Sequence, residues 1–245
     1  MQKFVCLLIV AGILLCDDTT AQDSDIPQYR PIESGEHTRR IWQSSRCSSQ
    51  DIARLAVLAP QDTGLTTQAA PVLYWALSAS TEHSIKLTIL STGERAYLEP
   101  PLLETYIDAP PQPGIYPLSL EEFGVQLASD KVYEWFLTIE INPLEPSADM
   151  VASATIKRIA SPSSLTEQAS QANEREQAVL YAGAGFWYDA IAAASQAIHH
   201  NSADKALRIK LLEQVGLPVV ASIDLQTHEA VGTKRTMRKS PCGKS

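Results

Sequence analysis

Tyr181-Ala-Gly-Ala-Gly-Phe-Trp-Tyr-Asp-Ala-Ile191 joins two glycines, three consecutive aromatics and the opening of a helical period. Apolar residues at Ala178, Leu180, Tyr181 and Ala184, then at Trp187, Ile191, Ala194 and Ile198, recur at three- and four-residue spacing. That pattern predicts two helices meeting near Gly185, each with one buried face. Asn173 and Glu176 form the reciprocal pattern of a capping box and open the first helix. The second runs to His199-His200-Asn201, where imidazoles suit the negative end of a helix dipole. A third helix is expected from about Ala206 to Val215, stopped by Gly216 with Pro218 just beyond. Small residues from Ala182 to Ala197 let two backbones approach closely, which makes an antiparallel hairpin with Gly185 at the point of contact.

The order Gly185, Asp189-Ala190-Ile191, Ala197-Ile198, Asn201 has the spacing of the second half of a tetratricopeptide (TPR) repeat. One repeat is visible and a free-standing array needs about three, so a single hairpin docked on another domain is expected. Gly183-Ala-Gly185 is not a dinucleotide loop: a third glycine and a preceding strand are missing, and the glycines sit inside a helical period. Trp187 is expected to be the buried aromatic of the motif and Tyr188 the more exposed one, an anchor for a partner.

Outward from this stretch the chain changes character. Residues 1–21 carry Lys3, an apolar run Phe4–Cys16 and small residues through Ala21, the pattern of a secretory signal peptide. The run is shorter than the ~20 residues that span a bilayer, and no transmembrane segment is expected downstream. A lipid anchor on Cys16 would need a small residue before it, and Leu15 is not small. Residues 22–50 are polar and poor in core residues, an exposed leader whose Trp42 docks on a surface or meets a partner. Export leaves Cys47 and Cys242 in a disulfide-permissive setting, where they are either a pair or two unpaired thiols.

Residues 51–160 read as β structure. After the apolar Ala53–Pro60 segment and turn residues Asp62–Gly64 come runs Val72–Ala79, Ser84–Leu90, Ile115–Leu120, Lys131–Asn142 and Met150–Ile159. Ile85, Leu87 and Ile89 alternate with Lys86 and Thr88, and Tyr133, Trp135, Leu137 and Ile139 with Glu134 and Thr138. Thr92-Gly93-Glu94 punctuates as a turn and Pro110-Pro111-Gln-Pro113-Gly114 as a stiff loop. Strands without intervening helices pair antiparallel, so the fold class is α+β: an antiparallel immunoglobulin-like β-sandwich followed by a C-terminal TPR-like α-helical hairpin. Ser164 and Glu167 predict a further capping box where the helical region, 161–225, begins. Leu217–Leu225 reads as an extended apolar run. Residues 226–245 are a basic disordered tail, with Lys234, Arg235, Arg238, Lys239 and Lys244 set against a chain of net charge −8. An acidic body with a short basic end is not a nucleic-acid binder, and contact of the tail with an anionic surface is the weaker of its two readings.

No spacing supplies a catalytic, cofactor-binding or metal-binding set: there is no nucleophile elbow, no His-Glu-x-x-His and no phosphate loop. The residues point to an exported, non-enzymatic interaction or scaffold protein that partners another envelope protein. A small-molecule or glycan-binding module is the alternative, for which Trp75, Tyr97, Tyr106 and Tyr116 would have to line one exposed patch. With Tyr74 and Trp75 on opposite strand faces, one of the two is expected in the core. An enzyme ranks third.

Arg39, Arg40, Arg46 and Cys47, the segment Leu55-Ala-Val-Leu-Ala-Pro60, the strand Pro71-Val-Leu-Tyr-Trp75 and the strand Lys131-Val-Tyr-x-Trp135 occur in that order. They are followed by Arg175-Glu-x-Ala178-x-Leu-Tyr181-Ala-x-Ala-Gly185-x-Trp187-Tyr188-Asp189-Ala190-Ile and Leu211-Leu-x-x-Val215-Gly-Leu217. From about Cys47 to Leu217 the chain resembles the DUF928 family of exported bacterial proteins, chiefly cyanobacterial. The C-terminal motif is specific and the β part generic. The resemblance implies export and no particular activity, substrate or cofactor. Family members carry a cysteine in the strand after the Tyr-x-Trp position. Leu137–Ile141 has none here, which leaves Cys47 without that kind of partner and favours Cys242 slightly.

Overall fold

A computed structural model describes residues 26–32, 54–93, 96–142 and 144–227. The signal peptide, Trp42, Cys47, Cys242 and the basic tail from residue 228 onward lie outside the described residues. The fold is α+β, with two sheets followed by helices. The smaller sheet orders β1 (Leu55–Val57), β3 (Val72–Leu77) and β6 (Gly114–Ser119), all antiparallel. The larger orders β2 (Gly64–Thr66), β8 (Met150–Arg158), β7 (Val132–Ile139), β4 (Ile85–Ser91) and β5 (Leu103–Ile107).

The period-two pattern sets the register of the larger sheet. Ile85, Leu87 and Ile89 stand beside Ile139, Leu137 and Trp135, and all six are buried. A slip of one residue would turn that row to the other face, so burial holds the alignment. Two strands fell outside the sequence reading. Turn residues were expected at Asp62–Gly64, but Gly64 instead opens β2, which runs parallel to Ile156–Arg158 of β8. Leu103–Ile107 follows Pro100-Pro101 and pairs with β4 as an edge.

Every residue of β3 from Leu73 to Leu77 is buried, Tyr74 and Trp75 included. The expectation that one of these two aromatics would lie outside the core fails because the small sheet is covered on both faces. The Tyr74 hydroxyl hydrogen-bonds to Ser195 of the helical layer, within the influence of the Arg208 charge, while Trp75, next along the strand, packs against Tyr116.

The helices are α1 (Ser163–Gln171), α2 (Glu174–Gly183), α3 (Trp187–His200), α4 (Lys205–Gln214) and α5 (Pro218–Gln226). The Asn173–Glu176 capping box is present with both hydrogen bonds. The expected Ser164–Glu167 box is absent: Pro162 occupies the N-cap of α1, and no side chain caps it. Leu217–Leu225 is also not extended. Pro218 stands at the first turn of α5, where its missing N–H costs nothing, so it opens a helix as well as ending the one before. The main hydrophobic core contains residues of both sheets and of α2 through α5, and a smaller cluster joins Leu65, Leu165 and Phe186.

The leader is not wholly exposed either. Pro27 is buried and accepts a hydrogen bond from Gln214 Nε2 (2.8 Å), while the Tyr29 amide donates to Gln214 Oε1 (2.7 Å). The Arg30 amide donates to the Ala182 carbonyl (3.0 Å), and the Tyr29 ring meets Trp187 edge-on at 5.0 Å. Gly185 makes this docking possible. It turns the chain between α2 and α3 at φ +80°, and a Cβ there would stand 2.8 Å from both the Arg30 carbonyl and Ile32 Cγ1.

Gly185→Ala is therefore expected to cost about 1–2 kcal/mol for the left-handed backbone alone and to displace residues 26–32. Thermal denaturation and hydrogen exchange at the Arg30 amide report the two effects. Gly183, where an added Cβ meets nothing, is the control: Gly183→Ala should leave stability unchanged or raise it by about 0.5–1 kcal/mol.

Candidate functional site

The motif Trp187-Tyr188-Asp189 forms the first turn of α3, and all three side chains are buried. Consecutive helical residues point about 100° apart, so the three reach different parts of the β layer. Trp187 Nε1 donates to the Leu58 carbonyl just past β1 (2.9 Å). The Tyr188 hydroxyl accepts from Trp135 Nε1 of β7 (2.9 Å) and donates to the Thr155 carbonyl of β8 (3.1 Å). Asp189 accepts from the backbone N–H and the hydroxyl of Thr67, next to β2, each at 2.9 Å. The Tyr188 ring lies against Gly64, where a Cβ would come within 2.6 Å of Cε2.

Tyr188 is thus not the exposed aromatic that the sequence suggested; it is 1% exposed. The first turn of α3 lies between α2 and the strands, so no direction around the helix reaches solvent there. Burial pushes the Tyr188 hydroxyl well above its ordinary pKa, which keeps it protonated and able to donate. Asp189 is pushed upward as well, by burial first, against the lowering effect of hydrogen bonds from Thr67, Thr66 and Gln68. Ala190 is buried, Tyr181 is half-buried, and Gly185 is buried at the turn.

A second polar cluster escaped the sequence reading. Arg208 of α4 makes a two-pronged contact with Asp224 of α5, Nε to Oδ2 at 2.8 Å and Nη2 to Oδ1 at 2.6 Å. Its Nη1 donates to Ser195 Oγ of α3 (3.1 Å), and Lys205 Nζ lies 3.4 Å from Asp224 Oδ1. Asp224 is 1% exposed, so its charge is matched inside the protein rather than by water. The signal was available: an aspartate within the apolar run Leu217–Leu225 needs a cation, and Arg208 stands among Leu207, Leu211 and Leu212.

Three hollows open on this framework. A groove of about 540 Å³ between α1 and α2 is lined by Gln168, Gln171, Arg175, Glu176, Val179 and Leu180, among others. A hollow of about 300 Å³ shares Gln168 with it and is floored by Ile159, Leu165 and Phe186. The third, about 240 Å³, lies beside Asp189 and Tyr181. Among the described residues no three histidine, cysteine, aspartate or glutamate side chains gather as a metal site would require. The aromatics proposed for a glycan patch do not converge. Trp75 is buried with Tyr116 packed on it at 5.6 Å, while Tyr106 is exposed on β5 and donates to Glu140 at 3.1 Å. The Tyr97 side chain lies outside the described residues.

Tyr188→Phe keeps the ring and removes the hydroxyl, leaving the buried Trp135 N–H without its acceptor; a loss of about 1–3 kcal/mol is expected in denaturant unfolding. Asp189 generates a pH-dependent prediction. With its folded pKa raised, the stability it contributes is complete below the unfolded value of about 3.9 and declines as pH rises through the folded one. Asp189→Asn keeps an acceptor for Thr67 and cannot ionise. The stability of the parent relative to this variant should therefore fall as pH rises above about 4; a rise instead would show the carboxylate to be the favoured form.

No curated protein and no solved structure matches the chain significantly. A family model described as Domain of Unknown Function (DUF928) matches residues 34–225. That span takes in both sheets, the Trp187-Tyr188-Asp189 turn and the Arg208–Asp224 pair, and on it the chain belongs to the DUF928 family.

Proposed function

We propose that the chain is an exported, non-enzymatic interaction protein of the bacterial envelope. In this reading the two sheets form an immunoglobulin-like sandwich and α2–α3 a TPR-like hairpin, with α4–α5 as a second helix pair behind it. The observation that carries the reading is how the motif is used. Trp187, Tyr188 and Asp189 are spent on holding α3 to the strands, and Arg208 and Asp224 on holding α3, α4 and α5 together. The side chains best suited to chemistry thus have internal roles, and the helical layer is left with an open groove between α1 and α2.

That groove mixes apolar and polar lining, Val179 and Leu180 beside Gln168, Gln171 and Glu176. Such a surface suits a protein segment laid along two helices better than a small buried ligand. Among the described residues no helix is long and apolar enough to cross a membrane. Export rests on the N-terminal pattern, and the basic tail supplies a secondary means of meeting an anionic surface.

The test is a photo-crosslinker placed at Val179 in the native host. A specific envelope protein should be captured from Val179, lost with Leu180→Glu, and absent when the crosslinker stands at the exposed Glu122 in the turn after β6. Equal capture from both positions, or an intact N-terminus with the protein retained in the cytoplasm, would overturn the reading.

A further inference from the structure

The two sheets end in four edge strands, β1, β6, β2 and β5. An edge offers unpaired backbone N–H and C=O groups to any other extended chain, and stable proteins blunt it by shortness, cover, lysine, proline or a bulge. Three of the four are blunted in this way. β1 and β2 are three residues each and fully buried. β6 carries Pro117, which has no N–H to offer.

β5 is different. Leu103-Glu-Thr-Tyr-Ile107 contains no lysine or proline, and among the described residues it pairs with β4 alone. Its core-facing residues Leu103, Thr105 and Ile107 are half-exposed, unlike the buried row on β4 beside them. Tyr106 is 59% exposed on its outer face, and Leu102, just before the strand, is 39% exposed.

We propose that β5 pairs with β5 of a second copy of this chain, antiparallel about a two-fold axis at Thr105, joining the two larger sheets into one. The strand is complementary to itself in that register. Leu103 comes opposite Ile107 on the half-covered face, so each apolar residue gains an apolar neighbour. Glu104 comes opposite Tyr106 on the outer face, so a carboxylate meets an aromatic ring, whose hydroxyl already donates to Glu140, instead of another carboxylate. Prolines bracket the strand, Pro100-Pro101 before it and Pro110-Pro111 after it, which confines the pairing to this short segment. Because each copy uses the same edge, the contact closes on itself and association stops at two.

Sedimentation velocity on the purified full chain at about 0.1 mM should show a dimer that dissociates on dilution. Hydrogen exchange at the β5 amides should slow at the higher concentration while that of β7 does not change. Tyr106→Glu sets carboxylate against carboxylate across the axis and should weaken the dimer at least tenfold with circular dichroism unchanged. Adding Glu104→Lys should restore it, because lysine then faces the new glutamate. A monomer at this concentration, a dimer indifferent to Tyr106→Glu, or a double variant that stays monomeric would each overturn the proposal. The exchange measurement needs no variant, so it decides the matter independently should Tyr106→Glu fail to fold: β5 amides that exchange at the same rate at both concentrations would also overturn the pairing.

Discussion

The Tyr188 hydroxyl, held between the indole N–H of Trp135 and the carbonyl of Thr155, is the interaction on which the relation of helices to sheets depends. A hydroxyl buried this deeply is stable only if both its donor and its acceptor capacity are used. Both partners belong to the central strands of the larger sheet, and those strands cannot move without breaking their own ladder. The ring can reach them because Gly64 carries no side chain where it passes. Once Tyr188 is fixed, its neighbours are fixed as well. Trp187 is carried to Leu58 and Asp189 to Thr67, so one helical turn is bonded to three separate strand regions.

Charge is handled by the same rule on the other side of α3. Asp224 would be very costly in isolation, and removing one member of such a buried pair typically costs about 3–5 kcal/mol. Arg208 offsets that cost because its planar fork matches the carboxylate at two points. A third donor, on Nη1, goes to Ser195, whose own hydroxyl donates to the Ile191 carbonyl one turn back (2.7 Å). Ser195 therefore links the arginine to the helix that Tyr188 anchors, and the two polar clusters share α3 as their common element.

Much of the architecture was legible because it follows from local periodicity. Alternation in 85–89 and 133–139 gave two strands with their buried faces, and the Asn173–Glu176 pair gave the start of α2. The misses have physical causes. β2 is three residues long and contains a glycine, so it has no period to detect; it is a strand because β8 lies beside it and Tyr188 covers it. Pro218, just beyond the Gly216 stop, suggests an extended run, yet a proline that follows one helix fits equally well in the first turn of the next. The burial of Tyr188 was hidden because helical periodicity assumes one solvent-facing side, and α3 has none at its N-terminus. Docking of Tyr29 and Arg30 depends on the shape of the α2–α3 turn, which a polar leader sequence does not announce. The exposed groove and the β5 edge were illegible for a related reason: both are defined by what fails to cover them.

Comparison of the three described tryptophans shows how the two kinds of contact divide the work. Trp135 and Trp187 donate their indole N–H groups across the boundary between strands and helices. Among the described residues Trp75 Nε1 finds no hydrogen-bond partner, a cost of about 1–3 kcal/mol where a buried donor stays unmatched, and its ring is held by packing against Tyr116. Apolar packing is tolerant of small displacements, whereas a hydrogen bond to a fixed carbonyl is not. The small sheet is thus placed mainly by fit, while the helical layer is placed by direction. It follows that substitutions around Trp75 should loosen the core gradually, but a change at Trp135 or Tyr188 removes the angular reference for α3. The groove between α1 and α2 inherits its position from that reference, because α2 reaches the strands largely through the turn at Gly185 and the helix that follows it.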